Sequence, residues 1–264
     1  MVTLKTKEDI QILREGGRRH AAVMKKLIDV VRPGLATKEL DSLAVWWIKE
    51  ADTDNSGDES ALLGFKPKGA KRPYPASVCV SVNEEVVHGI PTENNRLLKE
   101  GDIVSIDFGL KHRGLFTDMA VTVPVGKVDV KSIALIETTK KALMAGIKAA
   151  KGGKKILDIS TAVERVGMGG GYGIVEDLVG HGVGYGVHEE PYVPNYTSGV
   201  RDERTVLQPG MTLAIEPMFN LGSKEVFEAD DGYTIVTVDG LPAAHFEHTV
   251  LITKGNAEIL TAML

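Results

Sequence analysis

Four acidic residues stand inside otherwise apolar segments that predict β-strands. They are Asp107, Asp118, Glu216 and Glu247. A carboxylate in an apolar strand is costly unless it is paired or bound to a cation. Four carboxylates exceed what one divalent ion needs, so the pattern favours a site for two metal ions. Oxygen-rich ligation with one or two histidines suits Mn²⁺, Fe²⁺, Co²⁺ or Zn²⁺.

The first two acids are predicted to share one face of a β-hairpin. Two apolar runs, 103–110 and 116–123, supply its strands. Because alternate residues point to opposite faces of a strand, Asp107 and Asp118 lie on a small, polar face with apolar residues behind it. A turn centred on the His112–Arg113 bond predicts that the two acids stand directly opposite each other. One carboxyl pKa should then rise unless a cation neutralises the pair.

The elements that position these acids occur twice in the same order. The first half predicts helices at Lys7–Val31, capped by Thr6, and Lys38–Ala51, a strand in Ser77–Asn83, and the hairpin. The second half predicts helices at Ser132–Ala150 and Ile156–Val166, a strand in Met211–Phe219, and a hairpin of Tyr233–Val238 with Ala244–Thr253. Leu98–Asp107 also aligns without gaps on Leu207–Glu216. The pattern predicts an α+β fold in one domain, 1–264, with halves of about 7–126 and 131–255.

Composition excludes several other classes of protein. The chain has 264 residues, and 36 acidic against 31 basic residues give a net charge of −5, which argues against a DNA-binding protein. A single cysteine excludes an internal disulfide framework, and no apolar run is long enough to span a membrane. The N-terminus lacks the apolar core of a secretory signal, so we expect a cytoplasmic protein. Glycine is dense in Gly167–Gly186, which predicts close backbone packing around His181 and His188.

Five motifs in order carry a resemblance that covers Ile10 to Leu260. They are Val87–Pro91, the pair Asp107 and Asp118, Gly180–Gly184 followed by His188–Pro191, Glu216–Met218, and Phe246–Thr249. Together they resemble the methionine aminopeptidases, and the compact segment from Glu216 to Glu247 fits type I. The resemblance implies a pita-bread fold, with two pseudo-symmetric αββ halves around a central mixed, mainly antiparallel sheet.

The resemblance also implies a reaction and a role for each site residue. Two divalent ions would share a water or hydroxide that attacks the first peptide bond of nascent chains and peptides beginning with Met, when the second residue is small. The implied metal ligands are Asp107, Asp118, His181, Glu216 and Glu247. The implied catalytic residues are His88 and His188, which contact the scissile peptide, and Glu216 as proton shuttle. The implied methionine pocket is Phe65, Tyr74, Cys79 and Tyr233, with His88 at its rim.

Two departures from the family pattern bear on selectivity. Val187 replaces an aromatic residue common in bacterial members, and Lys66–Pro73 is an insertion with four basic residues and no acid. The insertion predicts either a solvated loop or a transient contact with ribosomal RNA. We expect a monomer. Structural roles are expected for the other four histidines, His20, His112, His245 and His248. Two alternatives stay open: a proline-directed aminopeptidase of the same fold, and a non-catalytic relative that acts as a binding protein.

Overall fold

The computed structural model describes residues 2–199 and 201–263. Four α-helices and fifteen strands lie within these ranges. They are, in chain order, α1 (Lys7–Val30), α2 (Thr37–Ala51), β1 (Glu59–Ser60), β2 (Cys79–Val82), β3 (Glu85–Val87), β4 (Ile103–His112), β5 (Leu115–Pro124), α3 (Val130–Ala149), α4 (Ile156–Gly170), β6 (Gly173–Ile174), β7 (Gly180–Gly182), β8 (Glu189–Val193), β9 (Thr212–Ile215), β10 (Met218–Asn220), β11 (Val226–Glu228), β12 (Ile235–Thr237), β13 (Ala243–His245), β14 (Glu247–Leu251) and β15 (Glu258–Ile259), with a short 3₁₀ helix at Arg201–Arg204.

All four predicted helices are confirmed, and their ends follow local capping chemistry. The Thr6 side chain accepts the Asp9 backbone N–H, and the Asp9 carboxylate accepts the Thr6 N–H, which closes a capping box at the start of α1. Asp129 accepts two backbone N–H groups at the start of α3. Helix α4 runs beyond the predicted end to Gly170, because Gly171 takes the left-handed conformation that terminates it.

A nine-stranded sheet forms the centre of the fold. Its order is β1-β4-β5-β14-β9-β7-β8, with β2 paired to β4 and β15 paired to β14, and neighbouring strands are antiparallel. Helix α1 packs against β4 and β5, and α3 packs against β9, β13 and β14. The helices therefore cover the apolar face of the hairpin, where Ile106 and Phe108 are fully buried. The predicted α+β class is confirmed.

The predicted register of the first hairpin is wrong by two residues. His112 pairs with Leu115, so the turn is Arg113-Gly114 rather than one centred on the His112–Arg113 bond. Both turn residues have positive φ, 47° and 82°, as a two-residue hairpin turn of type I′ requires. Asp107 therefore pairs with Ala120, and Asp118 lies on the same face but diagonally from it. A shift by two residues preserves the face, and the small, polar surface survives.

The predicted second hairpin is also wrong. Strand β12 pairs with β11 and with β3 from the first half of the chain, instead of with the strand that contains Glu247. Strand β14 pairs with β5 and β9, and β13 pairs with β10 in a small separate sheet. The segments are extended as predicted, but their partners are distant in sequence. Among the described residues, no helix is both long and apolar enough to cross a membrane.

Candidate metal centre

Two rows of residues cross the central sheet on the face opposite the helices. The first row runs Asp107, Ala120 and Glu247, and the register places Glu216 next to Glu247. The second row runs Gly109, Asp118, Thr249, Ala214 and His181. Ala120 separates Asp107 from Glu247 in the first row, and Thr249 and Ala214 separate Asp118 from His181 in the second. Ligand atoms of Asp107, Asp118 and Glu247 lie within 4.8 Å of one another, as do those of His181, Glu216 and Glu247.

His181 is oriented for ligation by its own strand. Its Nδ1 lies 2.9 Å from the Gly182 carbonyl, to which it donates, so Nε2 faces the acids with a free lone pair. Nε2 is 3.5 Å from Glu216 Oε1. The flanking glycines are required by packing: a Cβ on Gly180 or Gly182 would lie 2.4 Å from a carbonyl oxygen of a neighbouring strand. This confirms the close backbone packing predicted from the glycine density.

The four carboxyls are electrostatically strained without a cation. Burial raises the pKa of Asp118 to about 7. Burial, followed by repulsion from the other acids, raises the pKa values of Asp107, Glu216 and Glu247 well above their ordinary range. Burial lowers the pKa of His181 to about 3, so its imidazole is neutral near pH 7. No Lys or Arg is present among the described residues that line the site.

These residues fit divalent metal ions. Glu247 Oε1 is buried and has no hydrogen-bond partner among the described residues. A buried oxygen of this kind requires either a proton or a cation. Carboxylate oxygens with one neutral imidazole are the donors that Mn²⁺, Fe²⁺, Co²⁺ and Zn²⁺ accept. Hydrogen bonds to the backbone of Asp118 fix the hairpin strand at this point, because Thr249 Oγ1 both accepts its N–H at 2.7 Å and donates to its carbonyl at 2.8 Å.

The acids form one end of a cavity of about 270 Å³. All eleven site residues named from the sequence line this cavity. The apolar part contains Tyr74, Cys79 and Tyr233, which cluster with Ile90 and Ala76. Tyr74 donates its hydroxyl to the Gly89 carbonyl at 2.8 Å, and its ring packs edge-on against Tyr233. The pocket wall is therefore held by hydrogen bonds outside the cavity and presents apolar surface inside it.

Comparison with known proteins places this geometry in a family. Residues 11–254 match metallopeptidase family M24. The chain belongs to metallopeptidase family M24. Methionine aminopeptidase 1 of Bacillus subtilis is 42% identical over 261 residues, covering 99% of both chains. The crystal structure of a methionine aminopeptidase from Thermotoga maritima is 40% identical, with a TM-score of 0.90 over 99% of both chains. A prolidase from Pyrococcus furiosus, 23% identical with a TM-score of 0.73 over 98% of this chain and 65% of its own, shares the fold. The expected pita-bread fold is confirmed.

Two histidines of this M24 chain stand at the mouth of the cavity. His88 has a φ of 61°, a left-handed conformation that is strained for a residue with a side chain. The following Gly89 lets the chain pass close to β2, because a Cβ there would lie 2.4 Å from the Val80 oxygen. His188 is exposed, and its ring packs edge-on against Phe65 at 5.7 Å and His181 at 4.4 Å. Burial lowers the pKa of His88 to about 4.

His245, for which only a structural role was expected, lies in the site. Its side chain lines the cavity, and Nε2 lies 3.5 Å from Glu216 Oε2. Both ring nitrogens are buried without a hydrogen-bond partner among the described residues. The signal was available in the sequence, because residues two apart on an extended chain share a face and His245 is two residues from Glu247. The other three histidines expected to be structural lie apart from the cavity lining and contact Thr117 (His20), Asp58 (His112) and Thr261 (His248).

The Lys66–Pro73 insertion is attached to the pocket rather than extending freely into solvent. Pro67 lines the cavity. Arg72 pairs with Glu93 and donates to the Asp231 carbonyl at 3.1 Å, while its own carbonyl accepts the Tyr233 hydroxyl. The other three basic residues, Lys66, Lys68 and Lys71, are exposed. The insertion therefore shapes the cavity mouth and keeps three lysines outside it.

Proposed function

We propose that the chain is a type I methionine aminopeptidase, which removes the initiator methionine from nascent proteins and peptides when the second residue is small. The observation that carries this proposal is one cavity in which buried carboxylates meet an apolar pocket. Relatives named methionine aminopeptidase that match along nearly the whole chain support it. The proline-directed alternative rests on proteins that share only the fold.

Two divalent ions are the proposed cofactors. Asp107, Asp118 and Glu247 would hold one, and His181, Glu216 and Glu247 would contribute to the other, in line with two of the three groups of close ligand atoms, the third being Asp118, His181 and His188. The candidates are Co²⁺, Mn²⁺, Fe²⁺ and Zn²⁺. Such ions supply Lewis-acid polarisation of a peptide carbonyl and an activated water nucleophile. The buried, unpartnered oxygen of Glu247 supports its proposed place between both ions.

The methionine side chain of the substrate is proposed to enter the apolar pocket. Tyr74, Cys79 and Tyr233 would contact it, and the polarizable thioether suits a wall of sulfur and ring edges. Phe65 and His188 close one side of the mouth through their ring contact. A large second residue would meet these rings, which supports the proposed preference for small residues there.

His88 and His188 are proposed to contact the scissile peptide. The lowered pKa values keep both imidazoles neutral at pH 7, so each can donate an N–H to the developing oxyanion without adding a charge. Glu216 is the proposed proton shuttle. Its Oε1 faces His181, and its other carboxylate oxygen, Oε2, faces the His245 ring. A proton held on Oε2 would be available for the leaving amine.

Peptide cleavage tests the proposal. Chelator-treated protein, reloaded with single metals, should release methionine from Met-Ala-Ser and little from Met-Leu-Ser. The double substitution Asp118→Asn with Glu247→Gln should abolish release, whereas Glu258→Gln, at an exposed surface pair with Arg14, should not. Cleavage that persists without metal, or in the double variant, would contradict the mechanism. Metal binding without any release would favour a binding protein.

The oligomeric state of the protein, its location and its contact with the ribosome complete the proposed function. We expect a monomer in the cytoplasm that acts on nascent chains through a transient ribosome contact. The exposed Lys66, Lys68 and Lys71 support that contact, whereas Arg72 is held by Glu93. Substitution of the three lysines by Gln should weaken salt-dependent ribosome binding, as counterion release predicts. Unchanged ribosome affinity would remove this part of the proposal.

A further inference from the structure

The segment before α1 is tied to the loop that carries His188. Lys5 Nζ lies 2.8 Å from Glu189 Oε2, and Thr3 Oγ1 donates to the same oxygen at 2.5 Å. The Lys5 side chain is only 1% exposed and that of Glu189 is 12% exposed. The Lys5 backbone N–H also donates to the Gly210 carbonyl at 2.8 Å. Chain segments that are far apart in sequence are therefore joined by a buried ion pair.

Glu189 links this segment to the loop through its second oxygen. Oε1 accepts the backbone N–H of Gly186 at 2.9 Å and that of Tyr185. Tyr185 connects the loop to the N-terminal part of the chain a second time. Its hydroxyl donates to Asp9 Oδ2 at 2.5 Å, and Lys5 Nζ lies 4.5 Å from its ring centre. One carboxylate thus holds both the N-terminal segment and the turn that precedes His188.

The sequence of the loop accommodates the lysine. Gly184 has a φ of 139°, and a Cβ there would lie 2.2 Å from Lys5 Cε. Any side chain at this position would displace the lysine stem, so glycine is required both by backbone conformation and by space. The loop is shaped around Lys5.

Stability alone does not account for this pair. Desolvating two charges offsets much of their attraction, and buried ion pairs are often replaced by apolar residues at little cost in stability. What the pair does fix is geometry. His188 immediately precedes Glu189, its ring is exposed, and its ring contacts with Phe65 and His181 are edge-on. The position of the imidazole therefore depends on its backbone.

We propose that Lys5 and Glu189 are positioning residues for His188. The ion pair holds the 183–189 loop so that the His188 imidazole meets the scissile peptide. The inference rests on the proposed function, in which His188 acts on the transition state. Displacement of a catalytic group by about 1 Å costs on the order of 100-fold in rate. The pair should therefore control kcat more than KM.

The test compares Lys5→Met, Glu189→Gln and the double substitution with Arg14→Met. Arg14 pairs with Glu258 at 2.7 Å and joins α1 to β15 at the surface without contacting Glu189, so it is a control for the loss of an ion pair to a distant element. Steady-state cleavage of Met-Ala-Ser gives kcat and KM. Hydrogen–deuterium exchange of the 183–189 amides reports loop order without reference to activity. Glu189→Gln has nearly the same volume, so it stays informative if Lys5→Met does not fold.

We expect each single variant to lose about 10- to 100-fold in kcat with KM within about 3-fold, and to exchange its loop amides faster. The double variant should lose no more than the worse single variant, because the two residues act as one unit. Arg14→Met should match the wild type in both readouts. Wild-type kcat in the double variant, or unchanged loop exchange in all three, would overturn the inference. Absence of cleavage by the wild type would overturn the proposed function, while loop exchange would still decide whether the pair orders the loop.

Discussion

The metal-free chain should lose stability as the pH rises from about 6.5 to about 8. Burial raises the pKa of Asp118 from 3.8 to about 7, and those of Asp107, Glu216 and Glu247 are raised well above their ordinary range. In the unfolded chain these groups are ionised at about pH 5 and above. The folded chain therefore binds more protons than the unfolded chain, and stability falls as the pH rises through the folded-state pKa values.

Histidines partly oppose this trend. Burial lowers the pKa values of His181 and His245 to about 3 and that of His88 to about 4. Their unfolded-state pKa is about 6.5, so they destabilise the folded chain as the pH falls below that value. At pH 6.5 the unfolded chain still holds each histidine about half protonated, so each one offsets about 0.4 kcal/mol of the fall between about pH 6.5 and 8. Burial also lowers the pKa values of His20 to about 3 and of His248 to about 4, so the five histidines together offset about 2 kcal/mol.

The expected magnitude follows from the Asp118 shift. A rise from 3.8 to about 7 corresponds to about 4 kcal/mol in full, of which about 1 kcal/mol appears between about pH 6.5 and 8. Each of the other three carboxyls that stays protonated across this interval adds up to about 2 kcal/mol. The four carboxyls together lower the stability by up to about 7 kcal/mol, and the histidine offset of about 2 kcal/mol leaves a net fall of up to about 5 kcal/mol, which is large against the usual stability of about 5–15 kcal/mol.

Urea unfolding of chelator-treated protein at the two pH values measures this fall. A saturating divalent ion should reverse it, since a ligand at about 100 times its Kd adds about 3 kcal/mol and the ionised ligands bind it better. Asp118→Asn with Glu247→Gln removes two of the four groups, so its stability should depend much less on pH. The double variant keeps all the histidines, so a fall in the metal-free wild type no larger than that in the double variant would refute the reasoning.

Three further predictions concern single residues. His245→Leu should lower kcat/KM about 10-fold and His245→Gln should retain most of it, because an amide keeps a polar group beside Glu216; steady-state kinetics with saturating metal would decide. Gly17→Ala would place a Cβ 2.2 Å from the Leu260 carbonyl oxygen, so the free energy of unfolding should fall by about 2–4 kcal/mol with kcat unchanged. Burial raises the pKa of the Cys79 thiol well above its ordinary range, so a thiol reagent at pH 7 should label it only as denaturant unfolds the chain.

The hairpin shows how much of a site local pattern can supply. Strand alternation correctly predicted the face shared by Asp107 and Asp118, since alternation survives any shift by two residues. The exact register depended on the turn, where Arg113-Gly114 offers the glycine that the second position of a type I′ turn favours. The residues of the turn, rather than the lengths of the apolar runs, therefore predict the register of the hairpin.

Strand partners could not be derived in the same way. β12 is extended as expected, but it completes a sheet with β3, which lies far earlier in the chain. Alternation of apolar residues reports which face of a strand is buried and is silent about its neighbour. Sequential strands are neighbours in only about two-thirds of cases, so the adjacent partner was a reasonable expectation that failed here. His245 entered the cavity for a related reason, since β13 pairs with β10 and leads directly into Glu247.

The strand order makes one site from residues at both ends of the sequence. Strand β14, near the end of the chain, lies between β5 and β9, so Glu247 is flanked by Ala120 of the first half and by Glu216 of the second. Residues 7–126 alone would hold Asp107 and Asp118 without His181, Glu216 and Glu247 and with an unpaired edge at β5, and the two like charges would repel each other. The second half alone would leave β14 without its neighbour β5, so Thr249 of β14 would have no Asp118 backbone to bind. We infer that the halves form one catalytic domain, because the ligand set exists only where their strands pair.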